Sequence, residues 1–394
     1  MTESIEYEPR GVIECDKNFI INHFKLIDED GDGYFRLGPE SSFYNREVKN
    51  VEDGSIQNPE LLYSYFESQN HIEADPLIRP ENDATLFTTA GIQHIETRHL
   101  QEKRLDRESF IISQPSIRTQ YIDKVSEGTT TSFVNFCVAE IRTTPENFAK
   151  LTEQYINMLV SFGLNPTNLS FTIEDTEDIW GSKKLNKTTF TVLYDDKELG
   201  EGVYLHDYPV TVNELIPIAD ISFGIERLNW ALGRYQVYLQ EFENFYPADA
   251  TSEQKNTITA IIDCIRTACL LVGEGLDASH KNPGRIIRQL SKRFVARNKL
   301  VSLPVKDLVS SSFSYWCKWG FKPNVSESRV VEILIKENDR SMNVLLASLL
   351  KERGGPTLYM DVNQDFQSYV VKLRASNPPE IVELINEIIM EITK

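Results

Sequence analysis

Cysteine is scarce in this chain. Five are scattered through 394 residues, odd in number and widely spaced, which excludes a disulfide framework. Cys264 and Cys269 fall on one predicted helix with no histidine beside them, so they read as buried thiols rather than metal ligands. Long apolar runs are also missing: none approaches the roughly 18 residues of a membrane-spanning helix, so no membrane partner is expected. The opening residues, Met1-Thr2-Glu3-Ser4-Ile5-Glu6, have neither the positive flank nor the apolar stretch of a signal peptide. Together with the cysteine usage, this predicts a reducing, cytoplasmic setting. Positive charge is in deficit, with 41 Lys and Arg against 59 Asp and Glu and a net charge of −18, which excludes a general nucleic-acid coat protein. No P-loop pattern, fixed-period repeat or low-complexity tract occurs, so a Walker-type nucleotide site is excluded too.

What is present is enough to build cores. Hydrophobic residues make up 41% of the chain, and the length predicts two or three domains. Residues 1–57 form an acidic, weakly periodic extension. Within it Asp28, Asp30, Asp32 and Gly33 imitate a calcium loop, but Pro39 stands where a bidentate glutamate is required, so an acidic turn is expected. Asn58-Pro59-Glu60 opens a helix with Leu61, Leu62, Tyr65 and Phe66 on its apolar face. Strand patterns follow at Thr85–Thr88 and Phe110–Ser113. A helix from Thr144 stops at Gly163, and short strands return at Leu169–Ile173, Phe190–Tyr194 and Val203–Leu205. Strands separated by helical insertions without a βαβ beat predict a mainly antiparallel sheet flanked by helices, an α+β domain over 58–245. From 246 to 394 the pattern is all-helical, through Ile258–Val272, Arg285–Val295, Ser328–Glu352 and Pro379–Ile392.

Two features carry chemistry. In Asp220-Ile221-Ser222-Phe223-Gly224-Ile225-Glu226-Arg227, an apolar strand hands over to an amphipathic helix through Gly224. Such a junction lets a ligand approach backbone closely, and an arginine in the first helical turn can present a fork of donors to phosphate. Taken alone, the segment also fits a plain helix start with two solvated charges. The second feature is the stretch from Lys281 to Lys299, which holds Arg285, Arg288, Lys292, Arg293 and Arg297 with no Asp or Glu. The spacing of Arg285, Arg288 and Lys292 places them on one side of a helix, either as a polyanion-binding face or as a solvated surface.

Four segments in order resemble class II aminoacyl-tRNA synthetases, and specifically the alanyl-tRNA synthetase family. Asn58–Gly91, ending in Asp83-Ala84-Thr85-Leu86-Phe87-Thr88-Thr89-Ala90-Gly91, is similar to the first class II motif. Ser113-Gln114-Pro115-Ser116-Ile117-Arg118 with Thr131-Ser132-Phe133 resembles the second, and the Asp220–Arg227 segment the third. Asp263-Cys264-Ile265-Arg266 through Gly275, then Gly284-Arg285 to Arg293, resembles the segment that meets the tRNA acceptor stem. The resemblance implies a class II-type antiparallel sheet and an acceptor-binding helical region, with no editing domain expected in this length. It also implies ATP-dependent formation of an aminoacyl adenylate and transfer to tRNA, with ATP and magnesium as cofactors. By it, Arg118 and Arg227 are catalytic, and ATP is held by Arg118, Phe133, Gly224, Glu226 and Arg227. Asp220 takes the substrate amino group, and Arg285, Arg288, Lys292 and Arg293 contact tRNA; no metal ligand from the protein is implied.

The chain also departs from that family. Its glycine- and proline-rich pocket segment is replaced here by Gly181–Thr191, and the loop after Arg118 reads Thr119-Gln120-Tyr121-Ile122-Asp123. A rebuilt pocket keeps the amino acid open, since one methylene is worth only about 1–3 kcal/mol of selectivity. It also keeps open a synthetase paralogue that passes an activated amino acid to a carrier protein or small acceptor. A non-catalytic tRNA-binding regulator is disfavoured by retention of both ATP arginines. A monomer or a homodimer fits either enzyme.

Overall fold

Apolar residues alternate with polar ones from Leu169 to Gly224, and a strand buries every second residue on one face. In the computed structural model this pattern becomes four long antiparallel strands. The model describes residues 14–46, 48, 56, 59–66, 70–71, 78–79, 85–100, 109–125, 128–180, 183–211, 214–232, 241–357 and 364–393. Along the chain come α1 (Lys17–Phe24), β1 (Leu26–Ile27), β2 (Arg36–Leu37), α2 (Glu60–Tyr63), β3 (Asn70–His71) and α3 (Ile92–Ile95). Then follow β4 (Ser109–Ile117), β5 (Ser132–Ile141), α4 (Pro145–Ser161), β6 (Leu169–Trp180), β7 (Lys183–Tyr194), β8 (Lys197–Thr211), β9 (Glu214–Gly224) and α5 (Ile225–Ala231). The last six are α6 (Ser252–Gly273), α7 (Gly284–Val301), α8 (Val305–Lys318), α9 (Glu327–Glu352), α10 (Phe366–Ser376) and, at the end, α11 (Pro379–Thr393).

The chain divides into two compact units, one of Met1–Ser116 with Phe133–Val237 and one of Ile117–Ser132 with Tyr238–Lys394. The first is built on a seven-stranded sheet of order β3-β4-β5-β9-β8-β7-β6. The pairs from β5 through β9, β8 and β7 to β6 are antiparallel, while β3 runs parallel to β4. This is the expected α+β sheet flanked by helices. Asp195 and Asp196, at φ 48° and 63°, form the two-residue turn between β7 and β8, the left-handed geometry a tight hairpin needs.

One face of the sheet is closed by α4, which starts on the Thr144 cap with Pro145 in its first turn. Tyr155 of α4 stacks on Phe223 at 4.9 Å, and Phe223 in turn meets Phe136 at 5.2 Å. Gly200 makes this approach possible, because a Cβ there would lie 2.5 Å from both Phe223 Cβ and Ser222 O, and 2.7 Å from Tyr155 Oη. Gly200→Ala is therefore expected to lower stability by about 1–3 kcal/mol, the usual cost of an overpacked core methyl. Thermal unfolding of the variant measures it; an unchanged midpoint would mean that β8 and α4 separate freely.

Some local expectations are corrected. Thr85–Thr88 is a run of bends rather than a strand. The backbone N–H groups of Thr89 and Ala90 both donate to Gln93 Oε1, at 2.7 and 3.2 Å, so a side chain takes donors that would otherwise join a ladder. The helix expected from Asn58 is the single turn α2, ending before Tyr65 and Phe66; Asn58 lies outside the described residues. Leu62 and Phe66 are still fully buried. In the acidic turn, Asp28 accepts from the Gly31 and Gly33 N–H groups at 2.8 and 3.2 Å, and Asp32 accepts from Tyr34 N–H at 2.9 Å. These are local turn bonds.

The second unit is helical. Its central helix, α6, opens on a Thr251–Gln254 capping box. It is long and apolar enough in composition to cross a bilayer, which corrects the sequence expectation, yet 83% of that stretch is buried within the fold. Arg266 of α6 is wholly buried, with its guanidinium 4.2 Å from the Tyr315 ring centre and 4.5 Å from that of Trp316. The two rings replace the water that a buried guanidinium loses. Cys264 and Cys269 are buried on the same helix, and burial pushes the Cys264 thiol up to about 12. Helices α9, α10 and α11 share a further core around Leu346, Tyr369 and Ile385.

Candidate active site

The face of the sheet opposite α4 carries the polar residues. Residues directly opposed in an antiparallel pair project to the same side. The pairs Asn135↔Gly224, Cys137↔Ser222 and Ala139↔Asp220 join β5 to β9, and Glu201↔Ser222 and Val203↔Asp220 join β8 to β9. Asn135, Cys137, Glu201, Asp220, Ser222 and Gly224 therefore share one face. Lower down the same face, Ile92 and Ile95 of α3 pack with Cys137, Ala139, Leu205 and Ile218 and close it off. Asn135 Oδ1 accepts from Gly91 N–H at 2.7 Å, so the segment leading into α3 is fixed to β5 beside the polar patch.

Asp220 lies at the centre. It is 6% exposed, and its Oδ1 accepts from Ser222 Oγ at 2.7 Å and Cys137 Sγ at 3.2 Å. Among the described residues nothing donates to the second oxygen. Burial pushes the carboxyl up to about 6, the two hydrogen bonds pull it back, and nearby Glu201 adds to the rise. Burial, with the Asp220 carboxylate next in weight, also holds the Cys137 thiol well above its ordinary value, so it is a neutral donor. The two partners that orient Asp220 were not legible as a site in the sequence. The only signal was parity: Ser222 is two residues away on the same strand, whereas Cys137 is 83 residues distant.

Gly224 has φ −90° and ψ 127°, an ordinary extended conformation, so its glycine is not required by the backbone. A Cβ there would stand 3.5 Å from the Phe133 ring, in simple contact. What the glycine leaves is open surface beside that ring. Phe133 is half-buried. Glu226, in the first turn of α5, is fully buried and accepts from Val134 N–H at 2.9 Å. This carboxylate ties α5 to the start of β5, a holding role not evident from the sequence. Arg227 remains partly exposed, with Nη1 donating to Glu198 O at 2.8 Å and lying 3.5 Å from Glu198 Oε1.

Arg118 belongs to the second unit, where it follows β4 and precedes a 3-10 turn, Thr119–Tyr121. Its N–H donates to Thr131 O at 2.8 Å, closing the loop on itself. Helix α6 holds that loop: Asp263 Oδ1 accepts from Thr131 N–H at 2.9 Å, and Arg266 Nη1 donates to Ser132 O at 3.3 Å. The Asp263–Arg266 segment thus acts as a brace for the Arg118 loop.

The four basic residues expected on one helix are all on α7, but they are not equivalent. Arg293 donates from Nε and Nη2 to the two Asp123 oxygens at 2.6 and 2.5 Å. Its guanidinium holds the Asp123 carboxyl below the usual range. Arg288 Nε donates to Glu337 Oε2 at 2.9 Å, a pair in which the carboxylate side chain is only 5% exposed. Arg285 and Lys292 stand in solvent. Among the described residues no group of three or more His, Cys, Asp or Glu is arranged to hold a metal ion.

No known protein family matches the chain, and no curated protein matches it by sequence. Among solved structures, the chain is similar to a pyrrolysyl tRNA synthetase, PylSc, of Desulfitobacterium hafniense, with 17% identity and a TM-score of 0.33 over 45% of this chain and 69% of that one. It is also similar to prolyl-tRNA synthetase from Cryptosporidium parvum, complexed with L-proline and AMP, with 11% identity and a TM-score of 0.29 over 93% of this chain and 96% of that one. Neither likeness is close enough to carry residue roles across.

Proposed function

We propose that this protein activates an amino acid with ATP, forming an aminoacyl adenylate, and passes it to tRNA, as the resemblance to the alanyl-tRNA synthetase family implies. The observation that carries this reading is the buried Asp220 carboxylate, oriented by Cys137 and Ser222, on the strand that ends in Gly224 just before the helix carrying Arg227. A carboxylate held dry, with one oxygen that takes no donor among the described residues, suits an ammonium group, since a charge-assisted hydrogen bond is strongest out of water.

In the reaction the substrate carboxylate attacks the α-phosphorus of ATP, the bond to the β,γ-phosphates breaks and pyrophosphate leaves. Catalysis then consists of positioning and of neutralising charge on phosphate oxygens. In this reading Asp220 anchors the amino group, Arg118 meets the α-phosphate and Phe133 stacks on adenine. Gly224 leaves room for the nucleotide, Arg227 holds the γ-phosphate, and Glu226 keeps the arginine's helix seated on β5. Magnesium would come with ATP and would supply neutralisation of phosphate charge, with few ligands asked of the protein. Arg285 and Lys292 are the α7 cations best placed to meet an RNA backbone, and phosphate contacts supply most of such affinity.

The second reading, transfer to a carrier protein or small acceptor, is favoured by one observation. Of the stretch that replaces the family's pocket segment, Lys183 to Thr191 lies in the regular strand β7 and pairs with β6, as in Glu174↔Thr189. ATP–pyrophosphate exchange across the amino acids, followed by charging of bulk tRNA, tests both. Exchange with one amino acid and charging are expected; exchange without charging selects the second reading, and no exchange with any amino acid defeats both.

A further inference from the structure

The α7 cations face a ring that cannot satisfy them. His280, exposed in the loop before α7, has its Nδ1 2.8 Å and its Nε2 3.3 Å from Arg288 Nη1, while Arg340 Nη2 of α9 lies 2.7 Å from the same Nε2. A neutral imidazole offers one lone pair and one N–H. Two guanidinium donors against its two nitrogens leave one N–H facing another N–H. Arg288 Nη1 moreover straddles the ring, where no single lone pair serves it. Glu337 is the carboxylate of the cluster: it accepts from Arg288 Nε and sits 3.8 Å from Arg340 Nη1. It therefore fixes both arginines from behind and leaves their outer N–H groups pointing at the ring.

Around this ring lies a cavity of about 330 Å3, lined by His280, Arg285, Arg288, Gln289 and Lys292. Arg285, Arg288 and Lys292 line it and Arg340 meets the ring from α9, and among the described residues Glu337 is the one carboxylate paired with this group. Among the described residues neither Arg285 nor Lys292 has a hydrogen bond or ion pair from its side chain. An oxyanion presents lone pairs in every direction and suits planar guanidinium forks. We propose that Arg285, Arg288, Lys292 and Arg340 form a cradle for one phosphate group of an RNA acceptor, and that the His280 ring is a placeholder which swings out when phosphate enters. The choice of RNA rests on the proposed function; the phosphate chemistry does not.

Removing the placeholder supplies the test. A ring that occupies the cradle competes with the ligand, so His280→Ala is expected to tighten binding of fluorescein-labelled bulk tRNA by about three- to tenfold. Arg340→Gln, which leaves Glu337 its partner Arg288, is expected to weaken binding about tenfold, one charge-assisted hydrogen bond. Inorganic phosphate, titrated at constant ionic strength, should displace the RNA from the wild type and less readily from Arg340→Gln. Binding unchanged or weakened in His280→Ala overturns the placeholder, and unchanged binding in a folded Arg340→Gln overturns the cradle. Binding of inorganic phosphate without tRNA overturns the RNA assignment. ATP–pyrophosphate exchange is measured on the same variants and should be unaffected, so failure of amino-acid activation is read separately.

Discussion

Arg227→Ala is expected to lower ATP–pyrophosphate exchange by about 10²–10³-fold, the cost of removing one donor aimed at transition-state charge. The same change should hardly move the unfolding midpoint. Its ion pair is with Glu198, a carboxylate whose side chain is 50% exposed, and a pair with so exposed a partner contributes about 0–1 kcal/mol. The strand-to-helix junction does not depend on it, because buried Glu226 makes the tie to β5 through Val134 N–H. Loss of activity without loss of stability is therefore the signature of a ligand-facing arginine. Arg227→Lys should recover only part of the rate, since a point charge does not reproduce the planar fork. Exchange at wild-type rate in Arg227→Ala would return the residue to a solvated surface pair.

Much of this architecture is written locally. The switch from period 2 to period 3.6 at Gly224 marks the β9–α5 junction, and Thr144-Pro145 marks the start of α4, because caps and periodicity are properties of neighbouring residues. What is not local is not legible. Helix α8 contains Ser310, Ser311 and Ser312, poor helix formers, yet it forms because Leu308, Phe313 and Trp316 are buried and Ser312 Oγ bonds back to Leu308 O at 2.7 Å. Tertiary burial overrides propensity there. The basic face of α7 was visible as a spacing, but Glu337 lies 49 residues from Arg288, and Asp123 lies 170 from Arg293. No periodicity reports such partners, so the sequence overstates how many of those cations meet solvent. Glu226 fails in the opposite direction: one turn into a helix it reads as solvated, and it is completely buried. These misreadings involve charged side chains, whose environment depends on what distant segments bring to them.

Asp220 brings stability and function into opposition, and Asp220→Asn should separate them. Burial penalises the charge of the carboxyl and pushes it up to about 6 in the fold, from an ordinary value of 3.8. A raised folded value means that its contribution to stability is fully present below about 3.8 and is lost as pH rises through about 6. By linkage the cost at pH 8 is on the order of 3 kcal/mol. Asparagine keeps an oxygen for Ser222 Oγ and Cys137 Sγ but carries no charge. The variant is therefore expected to be more stable than the wild type at pH 8, by up to about 3 kcal/mol, and level with it near pH 3.5. Its amino-acid activation should fall by about 10²–10³-fold in kcat/KM, because a desolvated ammonium would lose its counter-charge. In the wild type, KM for the amino acid should rise as pH drops below about 6, with kcat much less affected, since only the ionised carboxylate attracts the amino group. Chemical unfolding at the two pH values and exchange kinetics across pH 5–8 measure all three. A variant that is stabilised and fully active would make Asp220 a mere buried acid. One destabilised at pH 8 would make the charge structural. Gain of stability with loss of exchange is the outcome that fits a carboxylate kept dry, at a cost to the fold, for the ammonium of a substrate.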